Sequence, residues 1–498
     1  MCEITLNKDM QNFLIQQIKE EIPLEIILDT EEDKKRLEED IYKKVINAIK
    51  GYCRFGICKD TNKDILKEEI KKAAYEITSK KILSKELQIE EKNIFVNSDT
   101  ICIRPQAHYS VGEDMKDAIK RQLSERLPIK KVNIGLFTKF SLQFKQCDFK
   151  CRIGEEYYRE PKHITVIEVM YLEYKNLAFV NCNFFEEVFF TWQKKFKLLT
   201  MENCHFYKAV YFSGVFNENT FFNSSYFRDY INFYTCEFEK TACFYGVTFD
   251  KTPNFPQAIF KGNINVVNTN LNFTFDDLQE RIKQEYKDFN KAKEKKPLDK
   301  IANDFRDSFR NFKSTLIKDN NLLDASNFHK YELYCKELEL KNKKNKTLKD
   351  KIDKWQLSFY HRLCDHHTDL LLNLKWLVVL IGSFALLYFT SRVIQDINLL
   401  KVLNQYGVCL SIVGVFNLLC LYWFGCIKKF DFFVYFNLIA VLWVICYKPK
   451  IIFGIVNLIG DNSYNGFENV LITIYTILLA LVLFSLQKTA RKNSIVPS

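Results

Sequence analysis

The 498-residue sequence predicts a square β-solenoid, flanked by α-helical regions and followed by an α-helical transmembrane bundle. Two observations carry that prediction. Between residues 205 and 249 the aromatic side chains fall on a count of five, with Phe206, Tyr211, Phe216, Phe221 and Tyr226 evenly spaced. Beyond residue 370 come four apolar stretches, each long enough, or nearly so, to cross a hydrocarbon core of about 30 Å.

With 15% aromatic residues overall, five in register is an event on the order of one in ten thousand per starting point. The count resumes at Phe233 and Phe238, at Phe244 and Phe249, and at Phe255 and Phe260. It also runs upstream through Phe144 and Phe149 and through Phe179, Phe184 and Phe189. On an α-helix a step of five rotates about 140° and smears the rings around the barrel. On a flat strand an odd step alternates faces. Five works when the chain turns one corner per repeat, so that each short side sends its central residue inward. The position two before each ring holds mostly small residues, among them Cys147, Cys182, Cys204, Ala209, Gly214, Ser224, Cys236, Ala242 and Ala258. The expected solenoid core is therefore Phe184, Phe206, Tyr211, Phe216, Phe221, Tyr226 and Phe238, with Cys182, Cys204 and Cys236 beside the rings.

In these segments, FKQCDF, FVNCNF, MENCHF and FYTCEF, residues 132–275 resemble the phenylalanine-rich form of the pentapeptide-repeat family. The resemblance implies a right-handed quadrilateral β-helix with about twenty residues per coil and strands stacked about 4.8 Å apart. It implies an architecture and no activity. Some members of that family mimic DNA and act on topoisomerases, which requires a strongly acidic face. Residues 136–275 hold fifteen Lys/Arg and fourteen Asp/Glu, which suits a protein-contact scaffold instead.

Residues 1–92 read as a small helical domain. A capping box starts at Thr30, followed by Leu37, Ile41, Val45 and Ile49 at fourfold spacing, and a second stripe runs through Leu66, Ile70, Ala74 and Ile77. Cys53 and Cys58 have no histidine beside them and read as buried or neutral. Residues 93–135, with an amphipathic helix around 115–126, lead into and cap the solenoid of 136–275, which a charged insertion near 152–162 interrupts. Residues 276–362 form a basic helical connector with stripes Ile301, Phe305, Phe309, Phe312, Leu316 and Phe328, Tyr331, Cys335, Leu338. They are expected to pack on the solenoid's C-terminal end or on one another. The sixteen cysteines form no CxxC pair, and Met1–Glu20 lacks the pattern of a cleavable signal, so a reduced cytosolic soluble part is expected.

Between Lys341 and Arg362 eight Lys/Arg face only Asp350 and Asp353, a cluster suited to anionic lipid at a cytoplasmic membrane face. No aromatic interleaving accompanies the charge, so nucleic acid is not an expected partner. His361, Cys364, Asp365, His366, His367 and Asp369 then crowd the junction with the membrane domain, residues 363–498. On a helix His361 and Asp365 share a face, which makes a metal site of His361, Asp365 and His366 geometrically possible; polar residues at the interfacial end of a helix are the leading account of them, and no metal is expected. The spans centre on 376–390, 408–427, 432–447 and 470–486. Lys428, Lys429, Lys488, Arg491 and Lys492 place both termini in the cytoplasm by the positive-inside rule, against Lys448 and Lys450 outside.

LLDASNFHKYELYCKELELK and the SFYHRLCDHHTDLL stretch resemble the junction in bacterial proteins that join pentapeptide repeats to a channel-like membrane domain. That resemblance implies a multi-pass protein of the bacterial inner membrane. The Thr-x-Gly-Tyr-Gly filter of those proteins is missing between the last two spans, so potassium selectivity is not implied. Ile451 to Gly460 is too short to cross as a helix and too apolar for water; a re-entrant pore loop turning at Gly460, Asp461 and Asn462 is one reading, and an interfacial helix is the other.

Three function classes follow. One is a membrane-anchored scaffold whose solenoid docks a protein partner. The second is a channel-like protein, of which a homo-oligomer is a natural form, regulated by its soluble part. The third is an enzyme, for which the sequence offers no nucleophile–base pair, phosphate loop or carboxylate pair. No catalytic residue and no cofactor is expected.

Overall fold

The computed structural model describes residues 8–21, 31–54, 63–97, 99–106, 124–154, 173–255, 257–291, 296–318, 320–395, 404–447, 449–457 and 465–491. The chain divides into two compact units, Met1–Lys296 and Pro297–Ser498. Thr30, Cys58, most of the 115–126 segment and residues 155–172, which include most of the charged insertion, lie outside the described residues.

In the first unit helices α1 (Lys8–Glu21), α2 (Glu31–Arg54) and α3 (Lys63–Leu87) close around Leu14, Ile18, Leu37, Ile41, Val45 and Ile70. Their apolar residues recur at three and four, so each helix presents one stripe and the three stripes meet. The strand Ile101–Ile103 pairs parallel with Leu142–Lys145, which puts the segment before residue 135 into the solenoid ladder itself. The short helix α4 (Leu136–Lys139) drops Phe137 edge-on against Tyr174 and Phe179.

A β-solenoid of about six turns occupies residues 127–271. Among the described residues its pairings from strand to strand are parallel, and inward residues of successive coils stack in four columns. One column is Phe190, Phe212, Phe233 and Phe255; a second is Phe196, Phe216, Phe238 and Phe260. The third holds Phe144 and Phe179, then Met201, then Phe222 and Phe244. The fourth runs Phe149, Phe184, Phe206, Phe227, Phe249, with neighbouring centroids 4.5 Å apart at Phe184–Phe206. Such offset stacks repeat at the strand spacing, so every ring is packed above and below.

The coil is longer than a count of five allows. Phe216 pairs with Phe238 and Phe238 with Phe260, and the outer Lys240–Glu218 and Lys261–Glu239 contacts also span 22 residues. The corners explain the difference. Asn181, Asn203, Ser224, Gly246 and Asn268 sit at one corner of successive coils with φ between 52° and 66°, and Thr235 and Gln257 mark the opposite corner. A left-handed residue reverses the chain tightly, so five residues separate the rings on either side of it, as from Phe222 to Phe227. Corners without one need a sixth, as from Phe227 to Phe233. Gly214, at φ 136°, shortens one side, and there the strand register shifts between Phe212 and Gly214.

The ring register is corrected accordingly. Phe184, Phe206, Phe216, Phe238, Cys182, Cys204 and Cys236 are buried, whereas Tyr211, Phe221 and Tyr226 are half-buried and Phe212, Phe222 and Phe227 hold the interior instead. A slip of one residue moves a strand side chain to the opposite face, and each misplaced ring has an aromatic neighbour that takes its place. Ser225, not Ser224, occupies the small inner position of its coil.

That inner column reads Cys147, Cys182, Cys204, Ser225, and its chemistry explains its composition. Each small side chain donates to a carbonyl of the preceding coil: Cys182 to Phe144 at 3.5 Å, Cys204 to Phe179 at 3.3 Å and Ser225 to Met201 at 2.8 Å. Burial pushes the Cys204 and Cys236 thiols up. Cys182, Cys204 and Cys236 are all fully buried and are expected on that ground to resist a polar alkylating reagent in the native protein and to react once it unfolds; mass spectrometry showing rapid native labelling of all three contradicts their placement.

Helix α5 (Phe275–Lys291) lies on one outer wall of the solenoid, burying Leu278 and Ile282. Its Arg281 stacks 3.2 Å over the Tyr230 ring, and its buried Glu285 accepts from Tyr230 at 2.8 Å and from Asn254 at 3.2 Å.

In the second unit α6 (Leu298–Lys318) and α7 (Leu322–Asn342) form an antiparallel hairpin with Phe305, Phe309, Phe312 and Leu316 facing Phe328, Tyr331 and Cys335. Helix α8 (Leu348–Cys364) follows, then α9 (Leu370–Gln395), α10 (Gln405–Trp423), α11 (Lys429–Tyr447) and α12 (Gly466–Ala490). The last four are long and apolar enough to cross a membrane. Helix α9 holds the bundle together. Gly382 admits the α11 backbone so closely that an added Cβ would lie 2.5 Å from the Asn437 carbonyl oxygen, and Phe384 stacks on Tyr475 of α12 at 3.8 Å.

Candidate functional site at the membrane junction

The junction is built by the ends of α7, α8, α9 and α12. Thr347 and Asp350 cap α8 reciprocally, which fixes where that helix begins. At its other end Asp365, His366 and His367 have φ of 49°, 53° and 70°, three consecutive non-glycine residues in the left-handed region. Each such residue costs on the order of 1–2 kcal/mol, so the turn persists only because its surroundings hold it. Asp365 accepts from the Tyr334 hydroxyl and from Lys330 at 3.2 Å, and its backbone N–H donates to His361 at 3.0 Å.

The turn sends its two histidines to opposite sides. His366 lies beside His361, rings 5.4 Å apart, and its Nε2 is 4.0 Å from Glu337 of α7; His361 Nδ1 is 3.0 Å from the same carboxylate. These three ligand atoms all lie within 4.8 Å of one another. His367 instead enters a buried polar network. Its Nδ1 is 3.3 Å from Ser485 and 3.4 Å from Thr489, both on α12, and 3.5 Å from the Cys364 thiol, while Asn373 of α9 donates to Ser485 at 2.9 Å. Two of its members therefore lie on the last apolar helix, and the strained turn ties α8 to the end of α12.

Burial, reinforced by His361, lowers His366 to about 3. Burial and Lys488 lower His367 to about 4, so both imidazoles are neutral at neutral pH. Burial and the Asp365 bond raise Tyr334. Burial opposes charge on Glu332, but bonds from His329, Lys313 and Arg310 hold it down at about 2. The Cys364–His367 pair has the spacing of a nucleophile and base, yet burial pushes the thiol up and leaves it inert. A cleft of about 320 Å³ opens beside the turn, lined by Lys336, Asp353, Tyr360, His366, His367 and Lys488.

Of the candidate metal ligands, His361 and His366 are brought together, whereas Asp365 is engaged by Tyr334 and Lys330. Glu337 is the acid that completes the group, and nothing in the local spacing points to it, because it comes from another helix. Gly460, Asp461 and Asn462 lie outside the described residues. The segment before them, Pro449–Asn457, is a kinked 3-10 stretch tied to α12 by the Tyr475 hydroxyl, which donates to the Ile452 carbonyl at 2.8 Å. In the basic stretch from Lys341 to Arg362, Leu348, Ile352 and Trp355 are exposed on α8 beside Lys349 and Lys351.

No protein-family model, no curated protein and no solved structure matches the chain. The fold defines the class: a membrane protein with a repeat domain, combining a β-solenoid with four apolar helices of spanning length.

Proposed function

We propose that the solenoid is a protein-binding scaffold of the pentapeptide-repeat type, held at the cytoplasmic face of a bacterial inner membrane by a multi-pass anchor with both termini inside. One outer wall of the solenoid carries this reading. Beside the Phe184–Phe206–Phe227 column, Phe185 stacks on Tyr207 at 4.8 Å and His205 on Tyr226 at 5.9 Å, and Arg228 lies 4.6 Å over Tyr207. Phe185, His205, Tyr207 and Tyr226 are half-buried and Arg228 is exposed. Rigid tyrosines with an arginine among them are the composition of interface hot spots. The partner that fits is a protein segment offering a carboxylate to Arg228 and apolar side chains to the ring faces.

Helix α8 supports the membrane placement. Its exposed Leu348, Ile352 and Trp355 recur at four and three, with lysines beside them, as in helices that lie in an anionic headgroup layer. A channel-like reading is favoured by one feature, the 3-10 segment Pro449–Asn457, kinked at Phe453 and Gly454 and held against α12, where an added Cβ at Gly454 would meet Thr476 at 2.5 Å.

The test is a pull-down from membranes with the detergent-solubilised full chain, run beside conductance recording of the same preparation. A stoichiometric partner is expected, weakened at least about tenfold by Tyr207→Ala and by Arg228→Glu. Single-channel steps overturn the scaffold in favour of the pore, and capture indifferent to both substitutions removes the proposed wall.

A further inference from the structure

We propose that Glu337, His361 and His366 form a binding site for a borderline divalent transition metal, Zn2+ foremost, which clamps α7, α8 and the left-handed turn together at the membrane junction. The site is independent of what the solenoid binds. Its donors are two imidazole nitrogens and one carboxylate oxygen, drawn from two helices and the turn. Nitrogen donors of this kind select Zn2+ and its transition-metal neighbours over Ca2+ and Mg2+, which take oxygen.

Geometry and burial agree. Ligand atoms about 2.0–2.1 Å from a tetrahedral Zn2+ stand roughly 3.3 Å apart. Here His361 Nδ1 and His366 Nε2 are 3.0 and 4.0 Å from Glu337 Oε2 and all the donor atoms lie within 4.8 Å of one another, so side-chain shifts of about 1–1.5 Å close the set. An ordinary histidine–carboxylate pair accounts for His361 and Glu337. It does not account for His366, which is 2% exposed and whose Nε2 has no hydrogen-bond partner although it faces the pair. A buried donor or acceptor left unmatched is costly, and a metal ion matches this one. The three left-handed residues are what bring His366 to that position, since a continued α8 would carry it away. His366 also lines the cleft beside the turn.

The experiment uses the full-length protein in detergent, loaded with Zn2+ or Co2+, dialysed and measured for metal per chain, with the visible d–d absorption of Co2+ as a reading of coordination. One metal per chain is expected for wild type and for Cys364→Ser, which removes the neighbouring thiol. His361→Ala, at a half-buried position, and His366→Gln are each expected to lower affinity at least about 100-fold, beyond the loss an outer-shell partner causes. Zn2+ is expected to raise the melting temperature of wild type and not of His361→Ala. Background metal content in wild type, or affinity retained within threefold by His361→Ala, overturns the site. Should His366→Gln fail to fold, His361→Ala decides alone.

Discussion

Phe222→Ala is expected to destabilise the solenoid by about 3–5 kcal/mol, and Phe221→Ala by about 1 kcal/mol or less. Phe222 is fully buried, stacked on Phe244 at 5.1 Å and edge-on to Phe212 and Phe233 at 5.7 and 5.5 Å. Its truncation removes a ring from the middle of a column and leaves a void that neighbours fixed by strand pairing cannot fill. Phe221 is one residue away and half-buried on the outer face, so its ring loses little on truncation. Thermal unfolding of the purified chain, followed by the solenoid's far-ultraviolet dichroism, is expected to drop by on the order of 10 °C for Phe222→Ala and to change far less for Phe221→Ala. A larger drop for Phe221→Ala reverses the register of the coil. Equal, small effects place both rings outside the core.

The same pair of residues shows how far the sequence could be read. A recurring aromatic count revealed a solenoid because only a chain with one corner per repeat puts such residues in a common interior. It did not reveal which member of each doublet points inward. Tyr211–Phe212, Phe221–Phe222 and Tyr226–Phe227 offer an aromatic on both faces, and composition cannot separate them. The deciding signal was present in another residue class. Asn181, Asn203, Gly246 and Asn268, types that tolerate a left-handed backbone, mark one corner at the true coil length, which the aromatic count underestimates. The four apolar helices were legible because lipid imposes length and composition on a span. His361 and His366 were legible as a local cluster. Glu337 was not: it joins them only through the α7–α8 packing and the turn at Asp365, His366 and His367, and no local rule predicts three consecutive non-glycine left-handed residues.

Removing one member of the buried ion pair at the opposite end of the α9–α12 contact is expected to cost as much as losing a core ring. Glu468 is 0% exposed, and one carboxylate oxygen accepts from Arg392 at 3.1 Å, Gln395 at 3.0 Å and Ser391 at 3.3 Å. The other accepts from the Asn465 backbone at 3.2 Å, closing the cap of α12. The acid therefore both begins one spanning helix and anchors the end of another. Arg392→Met leaves the carboxylate buried without its cation, a loss of about 3–5 kcal/mol. Replacing both partners leaves no buried charge to compensate, and Arg392→Met/Glu468→Met is expected to recover most of that loss, short of what the cap contributes. Thermal unfolding in detergent of the two single variants and the double one forms a thermodynamic cycle that isolates the pair. A double variant no more stable than Arg392→Met would mean that Glu468 acts through its cap alone, and an Arg392→Met protein as stable as wild type would mean that the ion pair does not hold α9 to α12.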